Sequence, residues 1–367
     1  MAKLIDLDAE SYFQRQLLEG VARTFALTIP QLKPQLARVV SNAYLLCRIA
    51  DTIEDEINLS PSQKHTLSKL FIDVVAGDEA AEAFRDAFVP LLSDRRLPAE
   101  RELIEQTPRV IKITHRFTPE QRIALEKCVR VMGEGMAFYQ AHSSSTGLES
   151  REQFDNYCYH VAGVVGELLT ELVCEQNDEL NANRLQLRTL ALSFGQGLQM
   201  VNILKDIWKD RQRGVCWLPK DVFEAAGYDL SQLSPETITP DYVAGIRTLV
   251  SIAFTHLQNA LRYVQLIPKQ EKGLRKFCLW ALAMAILTLR NINKHADFKS
   301  ESEVKITRKD VASVVAAVKV LERSNHLLRA TFTIMSLGLS GVADVTTSKS
   351  HEHIRTWFNL QLSELNG

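Results

Sequence analysis

The sequence predicts an all-α protein, and three observations carry that expectation. Glycine is scarce, at 16 of 367 residues. Apolar side chains recur with 3.6-residue periodicity through nearly every segment. No run of alternating residues bounded by hairpin turns interrupts them.

Taken in order, helices are expected over residues 10–19, 33–56, 61–75, 79–93, 98–113 and 119–140. Further ones are expected over 150–174, 181–210, 240–267, 269–294 and 308–335. Several begin at a proline preceded by a capping residue, as at Thr118-Pro119 and Thr239-Pro240. Proline suits the first helical turn because its missing N–H would have had no partner there. Breaks fall at residues 58–62, 142–149, 211–219 and 230–240, and Ser143-Ser144-Ser145-Thr146-Gly147 looks the most flexible. None is long enough for an interdomain linker and no internal repeat is evident, so residues 1–367 are expected to form one helical domain.

Composition narrows the function. A formal net charge of −1, with Lys and Arg spread along the chain, argues against a nucleic-acid partner. The six cysteines (Cys47, Cys128, Cys158, Cys174, Cys216, Cys278) form no CxxC pair, and most sit among apolar neighbours. They read as core residues of a protein in a reducing, cytoplasmic setting. The N-terminus has no apolar signal core, and the longest apolar run, residues 277–289, is too short to cross a bilayer. Near the C-terminus, Trp357-Phe358 either touches lipid as a peripheral membrane contact or packs onto the domain. No stripe marks a clear subunit interface, and no protein partner is evident.

Two helices carry the chemistry. In Asp51-Thr52-Ile53-Glu54-Asp55, positions three and four apart share a face, so Asp51, Glu54 and Asp55 form one carboxylate cluster. The stripe continues backwards through Arg48 and Tyr44. On the second helix Gln199, Asn202, Asp206 and Asp210 share a face, while Met200, Ile203, Leu204 and Ile207 occupy the others. Clustered like charges need neutralising, and an oxygen-preferring divalent cation, most naturally Mg²⁺, does so. Either stripe alone also reads as a solvated helix face. Together they favour a metal and diphosphate site, because both lie in strongly apolar helices and pair carboxylates with amides or Arg.

At these residues the sequence becomes recognisable. Asp51-Thr52-Ile53-Glu54-Asp55 and Asn202-Ile203-Leu204-Lys205-Asp206-Ile207-Trp208-Lys209-Asp210 resemble the two aspartate-rich motifs of the squalene and phytoene synthase family. Arg23-Thr24-Phe25-Ala26 resembles the family's Ser-Arg-Ser-Phe segment, with Thr for the second Ser and Ala22 in place of the first. Tyr157-Cys158-Tyr159-His160-Val161-Ala162-Gly163 resembles its Tyr-Cys-x-x-Val-Ala-Gly segment. The resemblance runs from residue 22 to residue 309.

It implies a single-domain isoprenoid-synthase helical fold with a central cavity between the two Asp-rich helices. Two molecules of farnesyl diphosphate would condense head to head to presqualene diphosphate. Asp51, Glu54, Asp55, Asp206 and Asp210 would hold Mg²⁺, which makes diphosphate a competent leaving group. Arg23, Arg48, Lys205, Gln199 and Asn202 would hold the diphosphates, and Arg211 and Arg213 either join them or occupy a solvated turn. The allylic cation needs a dry cavity with aromatic faces, for which Phe25, Tyr44, Tyr157 and Phe277 are the candidates. Tyr157 matches the family tyrosine proposed to assist proton removal.

The branch of the family is set by the fate of that cyclopropyl intermediate. Gly133-Glu134-Gly135 is a helix-embedded pair with no strand before it, so a Rossmann nucleotide site is not expected. Phe277-Cys278 and Val304-Lys305-Ile306-Thr307-Arg308-Lys309 resemble squalene synthase segments. In that resemblance Lys305 and Arg308 bind NADPH, which reduces the intermediate to squalene; without that step the product would be dehydrosqualene or phytoene. A basic helix start is an equal reading of residues 304–309. Elongases and cyclases differ in their acidic motifs, and a lipid carrier would lack metal-dependent diphosphate release.

Overall fold

The computed structural model of the chain describes residues 2–22 and 25–342. The helices follow in order: α1 (Ala2–Val21), α2 (Phe25–Thr28), α3 (Pro34–Asp55), α4 (Pro61–Ala76) and α5 (Ala81–Phe88). Next come α6 (Pro98–Glu105), α7 (Thr107–Thr114), α8 (Pro119–Ala141) and α9 (Arg151–Cys158). A π-helical turn, Tyr159–Gly163, leads into α10 (Val164–Glu175). Then come α11 (Asp178–Ala182), α12 (Arg184–Gln212), α13 (Lys220–Ala225), α14 (Pro240–Leu266) and α15 (Lys272–Lys294). α16 (Glu301–Val304), α17 (Arg308–Leu321) and α18 (Asn325–Met335) complete the described chain. Among the described residues the one β pairing is an isolated bridge between Leu148 and Pro219.

Local chemistry sets the helix starts. Ser60 and Thr118 cap α4 and α8 in reciprocal boxes with Gln63 and Gln121, each followed by proline. Thr239 accepts from the Tyr242 N–H ahead of α14. Three expected helices are broken. The 98–113 segment splits at Gln106, because Pro108 in the first turn of α7 has no N–H to continue an earlier helix. The 150–174 segment passes through the π turn, and the 308–335 segment stops where Ser324 accepts from Leu327 N–H and starts α18. Buried Arg275 fixes that corner, donating to the carbonyl oxygens of Glu322, Val264 and Ile267. The expected 79–93 helix is shorter, ending at Phe88 in a 3-10 turn over Val89–Leu91. The short helices α2, α13 and α16 have too few turns to show a period.

One contiguous hydrophobic core runs through the described chain. At its centre α12 packs on α14 along one side and on the π turn and α10 along the other. Ser193 Oγ lies 2.8 Å from His256 Nδ1, and Asn259 Nδ2 donates to Ser193 Oγ at 3.0 Å. Burial pushes His256 down to about 3, so this seam holds a neutral imidazole. On the other side backbone meets backbone at Gly195, where a Cβ would sit 2.2 Å from the Ala162 carbonyl oxygen. Gly133 and Gly135 lie inside α8, against Ile72 and His160, and no strand precedes them. No described helix is long and apolar enough to cross a membrane.

Candidate active site

α3 and α12 carry the two acidic stripes, and the fold turns them toward each other. Asp51, Glu54 and Asp55 from α3 line a cleft of about 560 Å³ with Gln199, Asn202, Asp206 and Asp210 from α12. Both helices bury their other faces: Leu45, Leu46 and Ile49 on α3, and Met200, Ile203, Leu204 and Ile207 on α12, are nearly inaccessible. Hydrophobic burial therefore fixes the rotation of each helix, and the polar stripe is what remains for the cleft.

Cations are interleaved with the carboxylates. Arg213 Nη1 donates to Asp55 Oδ1 at 2.7 Å, tying the end of α12 to α3. Lys205 Nζ lies 3.1 Å from Asp206 Oδ2. Arg48 is bonded to Glu100 of α6 and stands 3.8 Å from Asp51. Arg211 points elsewhere, donating to the carbonyls of Ser145 and Leu233.

These cations do not neutralise the cleft. Burial, reinforced by Asp55 and Glu100, pushes Asp51 up to about 7. Burial and its neighbours Asp55 and Asp51 push Glu54 up to about 8. Asp210 rises to about 7 from burial and the charge of Asp206. Excess, poorly solvated carboxylate with only oxygen donors is a set that suits a hard divalent cation. Among the described residues, however, no three acidic, His or Cys side chains converge into a ready-made metal cage.

Tyr157 reaches the cleft from the end of α9. It is buried, donates to Glu54 Oε1 at 3.3 Å and stacks on Trp217 with centroids 4.1 Å apart. Gln140 of α8 donates to the same Glu54 oxygen at 3.2 Å and accepts from Lys64 Nζ at 3.4 Å. Burial, with Glu54 and Asp210 nearby, raises Tyr157 well above the usual phenol, so its hydroxyl keeps its proton. Lys64, Gln140, Lys209 and Trp217 also line the cleft, though the sequence pattern does not single them out. Lys209 lies inside the second acidic motif; the others come from elements whose approach to α3 no local pattern announces.

A second cavity, of about 980 Å³, meets the cleft at Asn202 and Lys205. Its walls are mainly apolar, including Phe25, Leu198, Val201, Trp280 and Met284. Phe25 packs on Tyr44 at 5.2 Å and on Phe277 at 6.0 Å. Phe25 reaches the apolar cavity, whereas Tyr44 and Phe277 line neither space. The Tyr44 hydroxyl is held by the Val21 carbonyl at 3.3 Å. Lys305 and Arg308 lie on the apolar cavity wall, away from the acidic cleft. Lys305 is 2.9 Å from Glu301, while Arg308 makes no ion pair with a described residue. Between them Thr307 caps α17, which explains the interruption of the basic run. Arg23, Trp357 and Phe358 lie outside the described residues.

Known proteins resemble this chain in sequence and in fold. The family model for squalene/phytoene synthase matches residues 18–310. A squalene synthase of Eremothecium gossypii is 31% identical over 282 residues, 75% of this chain and 60% of that protein. One of Cyberlindnera jadinii is 28% identical over 319 residues, 86% of this chain and 68% of that protein. The chain thus spans about three fifths to two thirds of the length of these relatives. Among solved structures, TcSQS in a ligand complex superposes with TM-score 0.71 at 21% identity, covering 96% of this chain and 97% of that one. A dehydrosqualene synthase in a ligand complex gives TM-score 0.62 at 18% identity, covering 86% and 97%. These likenesses show the fold.

Proposed function

The chain belongs to the squalene/phytoene synthase family, and from that membership we propose that it is a transferase making squalene from two molecules of farnesyl diphosphate. The observation that carries the reading is the junction of an acidic, cation-lined cleft with a large apolar cavity at Asn202 and Lys205. A prenyl diphosphate has the same two halves. Its charged head suits the cleft, and its chain suits the apolar cavity.

Asp51, Glu54, Asp55, Asp206 and Asp210 would hold Mg²⁺, which when bound neutralises diphosphate oxygens and improves the leaving group. Arg48, Lys205 and Arg213 take phosphate oxygens, exchanging their carboxylate partners for the substrate. The amides of Gln199 and Asn202 orient it. Loss of diphosphate leaves an allylic cation, and the faces of Tyr157 and Trp217 stabilise positive charge without attacking it. The apolar cavity excludes the water that would quench it. Attack by the second substrate's double bond, with the proton passing beside the Tyr157 hydroxyl to the released diphosphate, closes the cyclopropane of presqualene diphosphate.

Arg308, which makes no ion pair with a described residue and lies on the cavity wall, would take a phosphate of NADPH, with Lys305 beside it once released by Glu301. When bound there, NADPH would supply the hydride that replaces the diphosphate leaving presqualene diphosphate, giving squalene. The test is product analysis with farnesyl diphosphate and Mg²⁺, with and without NADPH. Squalene formed only with NADPH supports the reading. Dehydrosqualene formed without reductant and unchanged by NADPH would place the protein in the non-reductive branch. The six cysteines are all unpaired, which supports the reducing, cytoplasmic setting.

The raised carboxylates give a second check, with a definite sign. A carboxylate whose folded pKa lies above its ordinary value stabilises the fold only while protonated. For Asp51, Glu54 and Asp210 that contribution is complete below the ordinary carboxylate range and lost as pH rises through about 7 to 8. Without divalent cations, Tm is expected to fall across the same window in a differential scanning series. Saturating Mg²⁺, which binds the ionised forms, is expected to abolish the fall. A cation-free Tm that climbs with pH there would contradict this assignment.

A further inference from the structure

We infer that the outer face of the α17–α18 hairpin lies against an anionic membrane surface. α17 and α18 both pack on α15, through Val318, Leu321, Leu328 and Phe332. The sides turned away from α15 are exposed, and each carries an apolar stripe bordered by polar and basic residues, Lys309 and Ser313 on α17 and His326, Arg329 and Thr333 on α18. On α17 that side carries Ala312, Ala316 and Val320, spaced four apart on one stripe. On α18 it carries Leu327, Ala330 and Ile334, at spacings of three and four.

The concentration is unusual for this chain. Among the described residues, ten large apolar side chains are exposed, and four of them, Val320, Leu327, Ile334 and Leu337, fall within 18 consecutive positions. Ile334 and Leu337 are 64% and 67% exposed. The other six are scattered through residues 12–185, as single exposed apolar residues ordinarily are. Such a concentration of exposed apolar side chains on one surface hairpin marks an interaction site.

Charge selects the occupant. Lys309, Lys319 and Arg329 are exposed around this face, and none makes an ion pair with a described residue. Arg323, 71% exposed, pairs among the described residues only with Glu322, at 3.8 Å, and Glu322 is buried. The one acid in the first turn of α17, Asp310, is half-buried and accepts from the Thr307 hydroxyl in its cap. Apolar side chains ringed by unpaired cations match a bilayer with anionic headgroups, where the apolar face enters the acyl boundary and Lys and Arg stay at headgroup level. The inner side of α17 faces the apolar cavity through Val311, Val314 and Val315. One helix therefore separates that cavity from the proposed bilayer contact. Such a contact needs only this surface and does not depend on the reaction.

The test is flotation of the full chain, without substrate, on vesicles of phosphatidylcholine alone or mixed with phosphatidylglycerol. Binding to the mixed vesicles only, weakened by salt, is expected. Each of Lys319→Gln and Arg329→Gln is expected to lower partitioning about fivefold, and the pair about 25-fold. Leu327→Glu/Ile334→Glu is expected to abolish it while leaving the far-UV circular dichroism and the turnover of detergent-dispersed substrate unchanged. The inference is overturned if the parent protein fails to float with anionic vesicles, or if either double variant floats as the parent does. A concentration-dependent dimer that Leu327→Glu/Ile334→Glu dissociates, in a protein that ignores vesicles, would assign the face to a second copy instead.

Discussion

Asp51→Asn and Asp206→Asn are each expected to lower kcat/KM for farnesyl diphosphate about a thousandfold, the loss of about 4 kcal/mol of charge stabilisation at the leaving group. Both side chains line the cleft, one on each helix. Asn keeps the shape and one oxygen but removes the charge that draws in a cation. The fold should survive. Asp51 stands among Asp55 and Glu100, and burial already works against its ionised form, so the neutral amide removes an unfavourable charge. Arg48 keeps its other partner, Glu100. Cation-free Tm is therefore expected to equal or exceed that of the parent. Full activity in both variants would show that the acidic stripes are not the metal site.

Gly195→Ala is expected to destabilise the protein by about 3 kcal/mol, at the upper end of what overpacking ordinarily costs. The added Cβ would lie 2.2 Å from the Ala162 oxygen, 2.6 Å from its carbonyl carbon and 2.8 Å from Gly163 Cα. All three are backbone atoms, so no side chain can swing aside. α12 must shift from the π turn, and that turn directly follows the segment holding Tyr157 over Glu54. A fall in kcat should accompany the loss of stability, read from urea titration and turnover on the same preparation. Gly214→Ala is the contrast: a Cβ there meets nothing within 4 Å, and only its positive φ of 78° opposes the change. It should cost about 1 kcal/mol.

These two sites differ in how far the sequence alone reveals them. The acidic stripes were legible because helical spacing fixes which side chains share a face, and because their apolar neighbours fix which way that face turns. Spacing cannot say which helices cross. Lys64, Gln140 and Trp217 reach the cleft from α4, α8 and the loop before α13, and only tertiary packing brings them to Glu54 and Tyr157. The approach at Gly195 is hidden for the same reason, since a glycine inside a helix gives no hint of what passes beside it.

Aromatic residues show the limit from the other side. Phe25, Tyr44 and Phe277 do meet, yet of the three Phe25 alone borders the cleft or the apolar cavity, because apolar rings satisfy themselves against one another as readily as against a ligand. Helix ends divide similarly. Pro108 and Ser324 carried readable stop and start signals within the expected 98–113 and 308–335 helices, and an unbroken apolar period masked them. The π turn carries no such signal; it inserts a residue's worth of rotation where backbone contact with α12 demands it.

The most direct test of the central claim, that the cleft between α3 and α12 ionises an allylic diphosphate with metal, is rapid-quench release of inorganic diphosphate from farnesyl diphosphate without reductant. A burst is expected with Mg²⁺, lost on adding a chelator, restored by Mg²⁺, and absent in Asp51→Asn and Asp206→Asn. Release that persists in the chelator, or an undiminished burst in those two variants, would contradict the account.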